Sequence, residues 1–306
     1  MNEQDEKMKK IIVLGSTNTD MVIAGKKIPV PGETVSGGTF LMNPGGKGAN
    51  QAVAVARLSA KRDSCTFIAK VGDDLFGRET AVRMKKDGID AKLVIDRREL
   101  SGTALILVDP KGQNVISVAL GANGTLSPKD IAPYRKDIEN AAALLMQLET
   151  PLGTVVAAAK WAHTKGVPVI LNPAPARKLP SELYKCLEWI TPNESEAELL
   201  TGVKVTDAKS ASKAVDIFLK RGVKHAVITM GAKGVYCGDC RTLYPAKKVK
   251  AVDCVAAGDT FNGAFVVALA EGRCCKDAIA FAQKASAISV TRPGAQSSVP
   301  FRKEVK

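Results

Sequence analysis

The sequence predicts an α/β fold: a three-layer αβα domain on a mostly parallel central sheet, with a small β-sheet lid beside it. Three observations predict it. Short apolar runs alternate with segments of helical period along nearly the whole chain, as strands buried on both faces and their covering helices do. Two stretches, about 18–45 and 98–122, break that rhythm with Gly, Pro and β-branched residues. No repeat or low-complexity linker divides the chain, so one domain is expected over 1–306.

In order along the chain, Ile11, Ile12, Val13 and Leu14 form an apolar run ending in Gly15-Ser16, the pattern of a buried parallel strand. Residues 49–60 read as a helix, 66–71 as a strand and 77–87 as a helix. A strand follows at 143–148, a helix at 153–166, a strand at 168–171 and a short one near 189–191. Helices at 194–201 and 208–221 precede a strand at 226–230, and helices at 258–271 and 276–291 close the chain. Within the irregular stretches, β-rich runs at 103–108 and 115–120 flank Asp109-Pro110-Lys111-Gly112, which is hairpin chemistry. Neither stretch fits a crossover helix, and both fit a small projecting sheet. A lid and a plain edge decoration match that pattern equally well.

Composition narrows the classes. With 306 residues, 45% hydrophobic and 25% charged, the chain can build a sizeable core, and wholesale disorder is excluded. No apolar run approaches the ~18 residues of a membrane span. The first ten residues are polar and mixed in charge, neither a secretory nor a mitochondrial leader, and Glu304-Val305-Lys306 is no peroxisomal address. A cytoplasmic protein is expected. The net charge of +13 is uneven: residues 204–250 alone hold 11 basic and 3 acidic side chains. Solvated helix faces, a nucleic-acid surface and attraction of a small polyanion all match such a patch, but no nucleic-acid-binding motif accompanies it. Seven cysteines in a chain without a leader point to reduced thiols. Cys237 and Cys240 have C-x-x-C spacing without a second pair, and Cys274-Cys275 are adjacent, so neither metal nor redox use is expected of them.

Three glycine-centred motifs carry chemistry. Asn43-Pro44-Gly45-Gly46-Lys47-Gly48-Ala49-Asn50 precedes a helix without Walker spacing; its glycines permit close backbone approach, and Lys47 and Asn50 offer donors to hydroxyls. Ala256-Ala257-Gly258-Asp259 opens a helix, where small side chains leave the N-terminal amides bare for an anion. Asp259 there is either a first-turn acid complementing the dipole or a general base toward a hydroxyl attacking phosphate. The dipole is expected to lower its pKa. Thr229-Met230-Gly231-Ala232-Lys233-Gly234 follows an apolar strand, and either holds phosphate oxygens or makes an ordinary turn. Asn193-Glu194-Ser195-Glu196 is either a capping box or a place where Glu196 orients Mg²⁺-bound water.

Together these residues resemble the ribokinase, or PfkB, family of sugar kinases. The resemblance runs from Asn18-Thr19-Asp20 through 45–50, 145–149, 171–176, 191–194 and 253–262 to 291–296. It implies ATP-dependent phosphorylation of D-ribose at the 5-hydroxyl, with another sugar or nucleoside kinase, or a non-catalytic nucleotide binder, as alternatives. It implies that Asn18, Thr19, Asp20, Gly46, Lys47, Gly48, Ala49, Asn50 and Glu149 line the sugar site. Asp259 would take the hydroxyl proton, and the amides of Ala256, Ala257 and Gly258 would face the transferring phosphoryl group. Asn193, Thr229, Met230, Gly231, Ala232, Lys233, Gly234, Gly258 and Gln283 would line the nucleotide, with Mg²⁺ near Glu196. A K⁺ site would use Asp253, Val255, Ser289, Arg292, Gly294 and Ser298, most through backbone carbonyls. The irregular stretches would form a lid that also builds a homodimer. Three positions depart from the family pattern: Cys254 where threonine is usual, Ser289 where alanine is frequent, and Gln283 where some relatives carry a histidine.

Overall fold

Ile11–Leu14 pairs in parallel with residues 65–68 on one side and 143–146 on the other, so this first strand has no free edge and all four side chains are buried. The computed structural model describes residues 9–305; the expectations for residues 1–8 and Lys306 lie outside it. The chain runs β1 (Ile11–Leu14), β2 (Asn18–Ala24), β3 (Thr39–Gly45), α1 (Lys47–Leu58), β4 (Cys65–Gly72), α2 (Leu75–Lys86) and β5 (Asp90–Asp96). Then come β6 (Gly102–Val108), β7 (Asn114–Ala119), α3 (Pro128–Ile131), α4 (Arg135–Glu139), β8 (Ala143–Met146), α5 (Leu152–Thr164), β9 (Val169–Leu171), α6 (Ser181–Tyr184) and β10 (Trp189–Ile190). The last part holds α7 (Glu194–Thr201), α8 (Ala208–Lys220), β11 (His225–Thr229), β12 (Val235–Cys237), β13 (Thr242–Tyr244), α9 (Ala257–Ala270) and α10 (Cys275–Ser289).

The main sheet has the order β13-β12-β11-β10-β9-β8-β1-β4-β5, parallel except that β12 runs antiparallel to both its neighbours, β11 and β13. Alternation along β1 divides the core. Ile12 and Leu14 join Val155, Leu183 and Phe218 on one face, while Ile11 and Val13 join Val53, Phe261, Phe265 and Ala282 on the other. Helices therefore cover both faces, the three layers expected. The expected strands and long helices form within a few residues of their read positions. Not anticipated were β5, β12, β13, α3, α4 and α6. β5 is an edge strand with partly exposed, acid-ended residues, and the others are too short to show a period.

The two irregular stretches do join in one small sheet, order β3-β2-β6-β7. It is mixed: β2 pairs antiparallel with β3 and parallel with β6. β2 leaves β1 through Gly15, Ser16 and Thr17, so the small sheet projects from the C-terminal end of the main strands. Phe40, Leu41, Leu105, Val115 and Ile116 are exposed on it.

Candidate active site

The residues following β1, β8, β9, β10 and β11 all lie at the carboxyl ends of parallel strands, where an open α/β sheet binds ligands. These are Ser16, Gln147 and Glu149, Asn172, Asn193, and the turn after Thr229. Two helices close the site from one face. Gly263 of α9 lets that helix approach α1: a Cβ there would stand 2.4 Å from the Cβ of Ala54. This contact brings the first turn of α9 beside the first turn of α1.

Asp259 is thereby buried between them. Asn50 Nδ2 donates to its Oδ2 at 3.0 Å, and Gln51 Nε2 to its Oδ1 at 2.9 Å. Burial pushes the Asp259 carboxyl above its ordinary range, against Lys47, Asn50 and Gln51, which favour the charged form. The expected lowering by the helix dipole is thus reversed, because loss of water costs a carboxylate more than one helix end returns. Ala256 caps α9 in the left-handed region (φ 57°), rare for a residue with a side chain and characteristic of functional sites. Its side chain caps nothing, and Gly258 is exposed. The Ala257 amide donates to the Cys254 carbonyl at 3.3 Å, whereas the Gly258 amide has no partner among the described residues.

On the sugar side expected from the motifs, Gly46 adopts φ 86° before α1, and a Cβ there would stand 2.7 Å from Thr17 Cα. The loop is pressed on the chain's own backbone, which explains its glycines. Glu149 Oε2 accepts from Ser16 Oγ at 2.5 Å and from the Lys47 amide at 3.0 Å. Burial works against the Lys47 ammonium, yet Asp259, Glu149 and Glu196 together raise its pKa. Burial, helped by Glu149, raises the Asp20 carboxyl to about 6. Thr19, Gly48 and Ala49 are buried in the same wall.

Six buried residues to which sequence reasoning gave no role organise this region. Gln51 links Asp259 to Asn172 (3.0 Å), accepts from Gln147 (2.6 Å), and so ties α1 to β8 and β9. Asn172 donates to the Thr191 carbonyl, and Thr191 Oγ1 donates to Asn262 of α9. Asn123 accepts from the Thr17 amide (2.9 Å) and donates to the Thr17 carbonyl (3.0 Å) and to Asn18 Oδ1 (2.8 Å). The one available signal was an amide just after a strand, as at Gln147 and Asn172; Gln51 within α1 and Asn123 had none.

On the side where the motifs lead one to expect the nucleotide, Asn193 and Glu196 make a complete capping box: both Glu196 oxygens accept from Asn193, and the Glu196 amide donates to Asn193 Oδ1 at 2.8 Å. Burial raises the Glu196 pKa, with Lys47 and Asp259 in electrostatic reach. Asn193 bridges Thr229, aligning the 229–234 turn with it. Gly231 and Ala232 are exposed there, but Met230 is buried in the core, so its side chain faces away from any ligand. Lys233 pairs with Glu194, as Lys224 does with Glu188 and Arg241 with Asp216, so part of the basic patch is solvated ion pairs. Gln283 donates to the Tyr244 and Pro245 carbonyls, tethering α10 to the strand edge.

The segments around 253 and 294 also meet. Asp253 accepts from the Val255 and Gly294 amides, both at 2.9 Å, and the Val252 and Asp253 amides donate to Val290. Ser289 and Ser298 are buried beside them, while the Arg292 guanidinium pairs with Glu304.

The sequence model of pfkB family carbohydrate kinases matches residues 8–302. The chain belongs to this family. Among PfkB relatives, the ribokinase of Haemophilus influenzae is 46% identical over 300 residues, 97% of each protein. The solved ribokinase of Thermotoga maritima superposes with a TM-score of 0.88 at 40% identity, covering 97% of this chain and 98% of that one. The ribokinase of Arabidopsis thaliana, solved in complex with ribose and ATP, gives 0.90 at 32% identity over 97% of both chains. The PfkB fold thus accounts for the whole described architecture, small sheet included.

Proposed function

We propose that this chain transfers the γ-phosphoryl group of ATP to the 5-hydroxyl of D-ribose, giving D-ribose 5-phosphate and ADP. The observation that carries this reading is the Asp259 carboxylate, buried and doubly held, at the open amino end of α9. Asp259 accepts the hydroxyl proton as the oxygen attacks phosphorus. Its raised pKa moves it closer to the working pH, which strengthens it as a base. The Gly258 amide and the positive end of α9 face the charge on the transferring group, with the Ala256 amide beside them; the Ala257 amide joins once its Cys254 contact is exchanged. Lys47 balances the surrounding carboxylates and donates to the sugar. Asn18, Asp20, Asn50 and Glu149 orient its other hydroxyls, with Thr19, Gly46, Gly48 and Ala49 shaping the wall. Asn193, Thr229, Gly231, Ala232, Gly234 and Gln283 border the ATP, and Lys233 reaches it on leaving Glu194.

Mg²⁺, when bound with ATP, neutralises charge on the phosphate oxygens. Because both Glu196 oxygens are engaged in the cap, this residue fits a role through Mg²⁺-bound water and not direct ligation. For K⁺, the segments joined by Asp253 and Gly294 would supply oxygens, which suit a hard cation: the carbonyls of Val255, Ser289, Arg292 and Gly294, with Asp253 and Ser298. K⁺ there would hold the loop before α9 in place. The exposed apolar side chains of the small sheet support pairing with a second copy as a homodimer, the sheet then serving as lid. Among the described residues no helix is long and apolar enough to cross a membrane, and a cytoplasmic location accords with this reading.

A coupled ADP-release assay over D-ribose, 2-deoxyribose, other sugars and nucleosides tests the proposal, run with Na⁺ and with K⁺. Ribose-dependent turnover that is faster in K⁺ is expected. Turnover with a different acceptor only, or none, overturns the ribose reading, and equal rates in the two salts overturn the cation site.

A further inference from the structure

The C-x-x-C pair that sequence analysis set aside acquires a third sulfur in the fold. Cys237 ends β12, Cys275 opens α10, and their Sγ atoms stand 3.1 Å apart. The Cys240 amide donates to Cys237 Sγ at 3.4 Å, closing the pocket around it. Cys237 is buried and Cys275 is part-exposed.

We propose that Cys237 and Cys275 form a reversible intramolecular disulfide on exposure to a hydroperoxide, clamping β12 to α10. The Cys237 thiol is pushed down to about 6, chiefly by the hydrogen bond from Cys275, whose own thiol is pushed up by that bond. The lowered thiol makes Cys237 the favoured nucleophile of the pair. It attacks the peroxide oxygen, the O–O bond breaks, and with hydrogen peroxide the leaving hydroxide takes up a proton to become water. The sulfenic acid on Cys237 is then attacked by Cys275 sulfur, releasing a second water as the S–S bond forms. Two electrons pass from the two sulfurs to the peroxide, and a dithiol reductant reverses the change.

The bond would draw the sulfurs together by about 1 Å, to the usual ~2.05 Å. That movement is felt on the nucleotide side, a consequence that rests on the kinase reading. β12 follows directly on the 229–234 turn, and α10 carries Gln283 and Ser286, whose Oγ donates to the Ala257 carbonyl at 3.0 Å. The oxidised form is therefore expected to have a several-fold higher KM for ATP than the reduced form.

The purified full chain is treated with hydrogen peroxide, remaining thiols are alkylated, and the non-reduced digest is read by mass spectrometry. A Cys237–Cys275 linked peptide lacking two hydrogens is expected, with loss of two alkylatable thiols restored by dithiothreitol. The link should vanish in Cys275→Ser and persist in Cys240→Ser. A Cys237–Cys240 link, or sulfenylation of exposed thiols without any link, overturns the disulfide. A link that leaves the ATP KM unchanged overturns the clamp on the nucleotide side, whatever the sugar substrate proves to be.

Discussion

Gln51 Nε2 donates to Oδ1 of Asp259 at 2.9 Å, across 208 residues of sequence, while its neighbour Asn50 holds the other carboxylate oxygen. Two consecutive residues at the start of one helix thus fix the carboxylate at the start of another. Both oxygens are held in place while their remaining lone pairs stay available to a hydroxyl.

Asp259→Asn keeps that shape and removes the base. We expect kcat to fall by roughly 10²–10⁴-fold, the usual contribution of a general base, with the sugar KM changed little. Steady-state kinetics with titration calorimetry of the sugar check this; near-normal turnover would refute the base role.

Gln51→Leu removes a donor that favours the charged form of Asp259, so its raised pKa climbs further. The acid limb of kcat/KM should move to higher pH. The variant should also lose about 1–3 kcal/mol for each partner orphaned, here Asn172 Oδ1 and Gln147 Nε2. A pH–rate profile separates the two effects, since lost packing alone would leave the limb where it was.

Asp20 offers a stability test with a definite sign. Its carboxyl titrates near 6 when folded and near 3.8 otherwise, so the folded state binds the extra proton between those values. The ionised form therefore costs stability above about pH 6, and that cost disappears as pH falls below 3.8. Asp20→Asn should stabilise the protein by about 1–3 kcal/mol near pH 8. The gain should shrink steadily under acid, while sugar binding weakens. Urea unfolding at several pH values would show it, and a pH-independent difference would count against the assignment.

Asn123→Ala strips both backbone partners from Thr17 and one from Asn18. With the groups buried, a loss of about 1–3 kcal/mol per unpaired group is expected. The hinge between β1 and β2 then loosens, and the sugar KM should rise by roughly tenfold with a smaller change in kcat. An unchanged KM in a folded variant would mean that Asn123 serves stability alone.

Periodicity and local motifs, which need no more than neighbouring residues, made the α/β class, the long elements and the glycine-centred loops legible in the sequence. The family resemblance added the identity of Asp259, Lys47 and Asn50 as a group. Tertiary structure alone decided the rest. It brought Gln51 to Asp259, Asn123 to Thr17 and Cys275 to Cys237, pairs separated by 208, 106 and 38 residues, which no local pattern encodes. It also set the direction of the Asp259 shift. A dipole can be read from a helix start, but burial depends on what packs around it, and around Asp259 the packing outweighs the dipole.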